Sequence, residues 1–195
     1  MADKIKIRDS DALIAVDVQN DFIPGGSLAV NEGDRVVPAL NMLIPKFKTR
    51  VFTRDWHPEN HVSFSDDPQF VDKSWPAHCV QATPGAEFHK DLEVPDDAII
   101  LSKATDPDQD AYSAFEGTGL ADTLRERGIK RVMVGGLATD YCVKATALDA
   151  LKEGFEAVVV LDASRGVDVP PGTAQAAIDE MKAAGAKVID SGDIE

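Results

Sequence analysis

The chain of 195 residues carries 34 acidic and 20 basic side chains, which give a formal charge of −14 at pH 7. Its 44% hydrophobic and 28% charged residues are typical of a globular domain and argue against disorder. We expect neither nucleic acid nor a membrane as a partner, because the chain is strongly acidic and no apolar run approaches the roughly 20 residues of a spanning helix.

Six short apolar runs predict the strands of a parallel sheet. Each is rich in branched residues, and continuous runs of this kind are typical of strands that are buried on both faces. The runs cover residues 12–18, 51–53, 98–101, 131–134, 157–161 and 187–189.

Helical periodicity lies between these runs. In segment 34–47 the apolar residues recur near every 3.6 positions, and Pro45 is expected to end or kink the helix. Further helices are predicted over 119–127, 139–153 and 172–184, each followed by glycine. The alternation predicts a single α/β domain over the whole chain, with three α/β/α layers and a mostly parallel, Rossmann-like sheet of about six strands.

Segment 55–93 interrupts this alternation. It contains all four histidines and both tryptophans. Long irregular segments in compact domains are usually functional. The chain has no glycine-rich nucleotide motif, so no nucleotide is predicted.

The chain has two cysteines, Cys79 and Cys142. Because the N-terminal residues lack the apolar core of a signal peptide, we expect a reducing, cytoplasmic location and free thiols. Cys79 is interpreted as a buried structural thiol.

Reactive side chains follow three of the predicted strands. Asp17 ends the first, Lys103 follows the third, and Cys142 comes after the fourth, behind two glycines and in the first turn of a helix. Ligands of parallel sheets bind beyond the carboxyl ends of the strands. Desolvation should raise the pKa of Asp17, and the helix dipole should lower that of Cys142. The alternative is a capping aspartate, a surface lysine and a small buried cysteine; nearby Asp21 is expected to stabilise the loop.

A metal site is the second candidate. Asp55 and His57 lie two residues apart at a strand end, on one face of the extended chain, and His78 follows. These ligands suit Zn²⁺, Mn²⁺ or Fe²⁺. His61 is an optional ligand and His89 is expected at the surface. Solvated or capping histidines are the alternative.

Aromatic residues adjoin these polar groups in irregular segments. They could form the wall of a pocket for a flat ring, or small satellite cores. They are Phe22, Trp75, Tyr112 and Phe115.

Motif residues extend over almost the whole chain. They are DVQNDF with GGSL, RDWHP with NHVSF, WPAHCV, TPGA, YSAFEG and GLATDYC, which begin at residues 17, 54, 75, 83, 112 and 136. In this order they resemble the nicotinamidase/pyrazinamidase family of the cysteine hydrolase superfamily that also includes isochorismatases.

The resemblance implies an amidohydrolase that converts nicotinamide, and pyrazinamide with it, to the acid and ammonia through a cysteine thioester. Cys142 would be the nucleophile, Asp17 the general base and then acid, and Lys103 the third member of the triad. The backbone N–H groups of Ala138 and Cys142 would form an oxyanion hole. A cis peptide bond is implied between Leu137 and Ala138.

The same resemblance implies one divalent metal ion that orients the ring, with Zn²⁺ preferred over Mn²⁺ or Fe²⁺. Asp55, His57 and His78 would hold it, with His61 optional. The implied substrate pocket consists of Phe22, Trp75, Tyr112 and Leu137. The implied partner is a small amide, and a homo-oligomer is left open.

Three other functions stay open. The substrate could be an N-carbamoyl compound or another small amide, although Trp75 and the metal motif favour a heteroaromatic ring. Metal-bound water could hydrolyse the substrate, with Cys142 structural. The chain could also bind metal without catalysis, whereas two cysteines without a CxxC motif argue against thiol redox work.

Overall fold

Six parallel strands form one sheet in the computed structural model, which describes residues 4–195. The order across the sheet is β3-β2-β1-β4-β5-β6, and every neighbouring pair is parallel. The strands are β1 Asp11–Val16, β2 Thr49–Asp55, β3 Ile99–Lys103, β4 Arg131–Leu137, β5 Glu156–Arg165 and β6 Lys187–Ile189. This confirms the predicted parallel sheet, although β5 extends beyond its apolar run.

Four α-helices accompany the strands: α1 Val36–Leu43, α2 Leu120–Glu126, α3 Lys144–Lys152 and α4 Thr173–Ala183. As predicted, the first helix ends before Pro45, which lies in a short 3₁₀ turn. The helix predicted over 139–153 instead begins with a π-helical turn, Thr139–Val143, that leads into α3. Within the part of the chain that the structure describes, none of the helices has the length and apolarity to cross a bilayer.

Both faces of the sheet are buried, and β1 shows why its sequence is continuously apolar. Leu13 belongs to a core that includes Leu40 of α1. Its neighbour Ile14 belongs to a second core on the opposite face, with Leu124 of α2 and Ala147 of α3. Since successive side chains of a strand point to opposite faces, a strand between two helical layers needs an apolar residue at every position.

The chain reverses its direction of travel across the sheet at β1, which pairs with β2 on one side and β4 on the other. Such a switch point opens a crevice beyond the carboxyl ends of the strands. Asp17 follows β1, Asp55 ends β2 and Lys103 ends β3. The topology therefore brings residues that are distant in sequence to one edge of the sheet.

The irregular segment 55–93 crosses this same edge. It contains only the short 3₁₀ turn Pro84–Ala86 among its described elements, and isolated bridges join His57 to Val80 and Phe64 to Trp75. These bridges fold the segment back on itself close to the end of β2.

Candidate active site

A buried lysine forms the centre of the site. The Nζ atom of Lys103 lies 2.8 Å from Asp17 Oδ2 and 3.3 Å from Cys142 Sγ, and it donates a hydrogen bond to Asp55 Oδ1. All four residues are buried. The three residues that the sequence singled out as a triad therefore meet, with Asp55 as a fourth member of the cluster.

Each carboxylate oxygen of Asp17 has a buried neighbour. Thr53 Oγ1 donates to Asp17 Oδ1 at 2.7 Å, and Lys103 Nζ lies 2.8 Å from Oδ2 in a buried ion pair. Burial raises the pKa of Asp17 above its ordinary value, against the opposing charge of Lys103. A carboxylate with a raised pKa is suited to accept a proton.

The ammonium group of Lys103 is stabilised by the two carboxylates beside it. Burial alone would lower the pKa of its ammonium group, but Asp17 and Asp55 raise that pKa well above its ordinary value. A buried ammonium between two carboxylates is stabilised in its charged form. It can therefore stabilise negative charge without itself exchanging a proton.

Cys142 lies in the π-helical turn before α3. Burial raises the pKa of its thiol well above the ordinary value, although Lys103 acts in the opposite direction. The prediction of a thiol with a lowered pKa is therefore wrong, because desolvation of a buried thiolate outweighs the neighbouring positive charge. The resting residue is a neutral thiol that needs a base, and one oxygen each of Asp17 and Asp55 lies within 4.8 Å of its Sγ atom.

The backbone before Cys142 has the implied conformation. The peptide bond between Leu137 and Ala138 is cis. The carbonyl oxygen of Ala138 accepts hydrogen bonds from the N–H groups of Tyr141 and Val143, both at 3.1 Å. Ala138 and Cys142 line the same pocket.

The second cluster is built from Asp55, His57 and His78, whose ligand atoms lie within 4.8 Å of one another. The Nδ1 atom of His57 faces the carbonyl oxygen of Ala104 at 3.3 Å, and that of His78 donates to the carbonyl oxygen of Pro76 at 2.8 Å. Each imidazole therefore presents a bare Nε2 atom. That of His57 is buried, and no hydrogen-bond partner for it exists within residues 4–195.

The electrostatics of this cluster suit a cation. Burial lowers the pKa of His78 to about 4, so its imidazole is neutral at pH 7. Burial opposes the ionisation of Asp55, but Lys103 and His57 together hold its pKa below the ordinary value. The imidazoles of His57 and His78 with the carboxylate of Asp55 are a donor set that fits a divalent metal ion.

His61 lies beside this cluster but is occupied by other partners. Its ring centroid is 4.2 Å from that of His57. Its Nδ1 atom pairs with Ser63 Oγ at 2.8 Å, and its Nε2 atom donates to the carbonyl oxygen of Gln109 at 3.1 Å. Neither nitrogen is available in this arrangement. His89, which was expected at the surface, has a side chain that is only 13% exposed.

Residues of both clusters line one pocket. Its lining residues are Phe22, Leu28, Asp55, Trp75, His78, Tyr112, Ala138, Tyr141, Cys142 and Val167. Phe22, Trp75 and Tyr112 are thus in the predicted places. Leu137 is not a lining residue, because its side chain is packed in the core at 1% exposure. Phe115 packs on Phe155 in the second core instead.

The sequence analysis did not predict three of the residues that line the pocket. Leu28 ends the GGSL motif and Tyr141 directly precedes Cys142, so both lie within motifs that the sequence analysis identified. Val167 lies in the loop after β5, and no motif in the sequence pointed to it. It is held by Asp140, whose carboxylate accepts hydrogen bonds from the N–H of Val167 at 2.9 Å and from Thr173 Oγ1 at 2.8 Å.

Comparison with known proteins extends over nearly all of the chain. The isochorismatase domain model matches residues 11–193. A nicotinamidase from Acinetobacter baylyi is 42% identical, covering 98% of this chain and 97% of its own. The structure of a pyrazinamidase of Pyrococcus horikoshii in complex with zinc is 52% identical, with a TM-score of 0.83 over 93% of this chain and 99% of that one. PnC1 from L. infantum in complex with nicotinate is 36% identical, with a TM-score of 0.88 over 98% of each chain.

Proposed function

The chain belongs to the isochorismatase family, and we propose that it is an amidase that hydrolyses nicotinamide to nicotinate and ammonia, with pyrazinamide as a second substrate. The observation that carries this proposal is the buried thiol of Cys142, 3.3 Å from Lys103 Nζ, at the floor of a pocket with aromatic walls. The similarity to a nicotinamidase and to a structure with bound nicotinate supports the choice of substrate.

The pocket suits a flat heteroaromatic ring. Phe22 and Trp75 supply aromatic faces. The indole Nε1–H of Trp75 donates to Tyr112 Oη at 3.0 Å, and its ring meets Tyr141 edge to face. These contacts fix the plane of the indole, so a substrate ring can stack without first ordering the side chain.

Asp55, His57 and His78 would hold a divalent metal ion, with zinc preferred because a similar pyrazinamidase is known in complex with zinc. When bound, the metal would supply a Lewis acid that attracts the ring nitrogen and orients the substrate. Asp55 serves both clusters, since it also pairs with Lys103.

The first half of the reaction forms a thioester. Asp17 accepts the thiol proton of Cys142, and the Sγ atom attacks the amide carbonyl carbon. The N–H groups of Ala138 and Cys142 donate to the developing oxyanion, while Lys103 stays protonated and stabilises the charge nearby. Asp17 then returns the proton to the amine, the C–N bond breaks, and ammonia leaves.

The second half releases the acid. Asp17, again ionised, accepts a proton from a water molecule that attacks the thioester carbonyl carbon. The C–S bond breaks, Cys142 recovers a proton from Asp17, and nicotinate departs. Lys103 holds its proton throughout, which agrees with its strongly raised pKa.

A substrate panel tests the proposal. Ammonia release is measured for zinc-loaded protein with nicotinamide, pyrazinamide, benzamide and an N-carbamoyl amino acid. We expect the two ring-nitrogen amides to be turned over with the highest kcat/KM, and benzamide, which lacks the ring nitrogen, to be much poorer. Preferential turnover of the N-carbamoyl compound would contradict the proposal and assign the site to another small amide.

A further inference from the structure

The turn after β1 contains a buried amide that the reaction does not use. Gln19 is 0% exposed. Its Nε2 atom donates to the carbonyl oxygens of Asp55 at 2.8 Å and Ala86 at 2.9 Å, and its Oε1 atom accepts from the N–H of Asp55 at 2.8 Å. One side chain therefore hydrogen-bonds both main-chain groups of a residue in the metal cluster.

Gln19 takes this position because β1 and β2 have unequal lengths. β1 pairs with β2 as far as Val16 and Thr53, and then turns away because Asp17 adopts a left-handed conformation with φ of 49°. β2 continues to Asp55, whose main-chain N–H and carbonyl groups are buried and need partners. The amide of Gln19 has the same donor and acceptor as a peptide group, so it extends the ladder where the strand has ended.

Asp21, two residues further along the turn, holds the other side of the cluster. Its Oδ2 atom accepts a hydrogen bond from the N–H of Cys79 at 2.8 Å, directly after His78, and its Oδ1 atom accepts from the N–H of Ser27 at 3.3 Å. The chain leaves room for this carboxylate at Gly85, where a Cβ atom would lie 2.1 Å from Asp21 Oδ2.

We propose that Gln19 and Asp21 are positioning residues of the metal centre, which fix the main chain of Asp55 and of the residue after His78. The inference rests on the proposed function, because it takes Asp55, His57 and His78 as the ligands. The DVQNDF turn then supplies the general base Asp17 and also aligns the metal cluster. Removing partners that orient metal ligands typically weakens metal binding by about 10–100-fold.

The test measures the zinc dissociation constant of the apoprotein by competition with a chromophoric chelator, together with its Tm without metal. Gln19→Met keeps the length of the side chain and removes all three hydrogen bonds. Gln19→Glu keeps the acceptor for the N–H of Asp55, but it places a carboxylate oxygen opposite two carbonyl oxygens. This variant replaces Gln19→Met in the test if Gln19→Met does not fold. Asp21→Ala removes the acceptor beside His78.

Controls come from side chains outside the metal cluster that also hydrogen-bond main-chain groups. The amide of Asn41 donates to the carbonyl oxygen of Asp91 at 2.8 Å and accepts from the N–H of Glu93 at 3.0 Å. Asp162 accepts from the N–H of Ser191 at 2.7 Å. Asn41→Leu and Asp162→Ala thus measure what losing such bonds does to stability alone.

We expect the Gln19 and Asp21 variants to raise the zinc dissociation constant by about 10–100-fold, while both controls leave it unchanged. Unchanged zinc affinity in the variants, with a fall in Tm like that of the controls, would overturn the inference. So would wild-type protein that binds no zinc. If the variants lose zinc affinity but the wild type releases no ammonia from nicotinamide, the inference stands and the proposed function fails.

Discussion

Burial decides which protonation states the reactive residues adopt at rest. The thiol of Cys142 has a raised pKa and the ammonium of Lys103 keeps its proton, so neither begins the reaction by itself. Asp17 has a raised pKa and an oxygen within 4.8 Å of Cys142 Sγ, which suit it to move the proton. The different proposed roles of the three residues follow from the desolvation of each group and from the charges around it.

Asp17→Asn is expected to lower kcat by about 10²–10⁴-fold, because an amide cannot accept the thiol proton. Thr53→Val is the matched control, since it removes only the donor to Asp17 Oδ1 and keeps the carboxylate. Its kcat should stay close to that of the wild type. Steady-state kinetics at saturating nicotinamide measure both, and an Asp17→Asn variant with wild-type kcat would remove Asp17 from the mechanism.

His57→Ala is expected to leave the purified protein without stoichiometric zinc, because it deletes a bare, buried ring nitrogen. His61→Ala should keep zinc, because both ring nitrogens of His61 are engaged by protein groups. Atomic absorption on protein dialysed against zinc decides between them. Loss of zinc in both variants would make His61 a ligand.

The elements were largely predictable, and the places where prediction failed have physical causes. β1 was recognisable because a strand between two helical layers is apolar throughout. The π-helical turn before α3 was not recognisable, because the apolar residues of this segment follow the 3.6-residue spacing of an ordinary helix. Leu137 was misplaced because its apolar side chain fits a core as well as a pocket, and only the fold decides which it faces.

The contact between β1 and β4 depends on a glycine. Gly136 has φ of +127°, and a Cβ atom there would lie 2.1 Å from the carbonyl oxygen of Val16. Gly136→Ala should lower the free energy of unfolding by at least about 3 kcal/mol. The added Cβ atom would clash with the main chain of β1, and the positive φ is unfavourable for alanine. Gly192→Ala, with no atom within 4 Å of its Cβ position, is the control. Equal urea midpoints for the two variants would contradict this account of the strand contact.

Over the whole molecule, the site joins residues from three strand ends, the π-helical turn and segment 55–93. The motifs identified most of these residues, and the topology explains why they meet at the switch point beside β1. What the sequence could not provide was the burial that reverses the expected pKa shift of Cys142, or the loop after β5 that brings Val167 to the pocket.

Because the metal cluster joins Asp55 of β2 to His78 of the irregular segment, zinc should stabilise the fold. At a free concentration 100 times the dissociation constant, the gain in free energy of unfolding is about 2.7 kcal/mol. Thermal unfolding with zinc and with chelator should differ in Tm for the wild type and not for His57→Ala. The same Tm in both conditions for the wild type would show that the metal does not join these segments.

The proposed mechanism depends on Cys142 as the nucleophile. The decisive measurement is the rate of ammonia release from nicotinamide by zinc-loaded Cys142→Ala beside zinc-loaded wild type. We expect release by the wild type and none above background by the variant, with equal zinc content in the two. Comparable release by both would contradict it and assign the chemistry to metal-bound water.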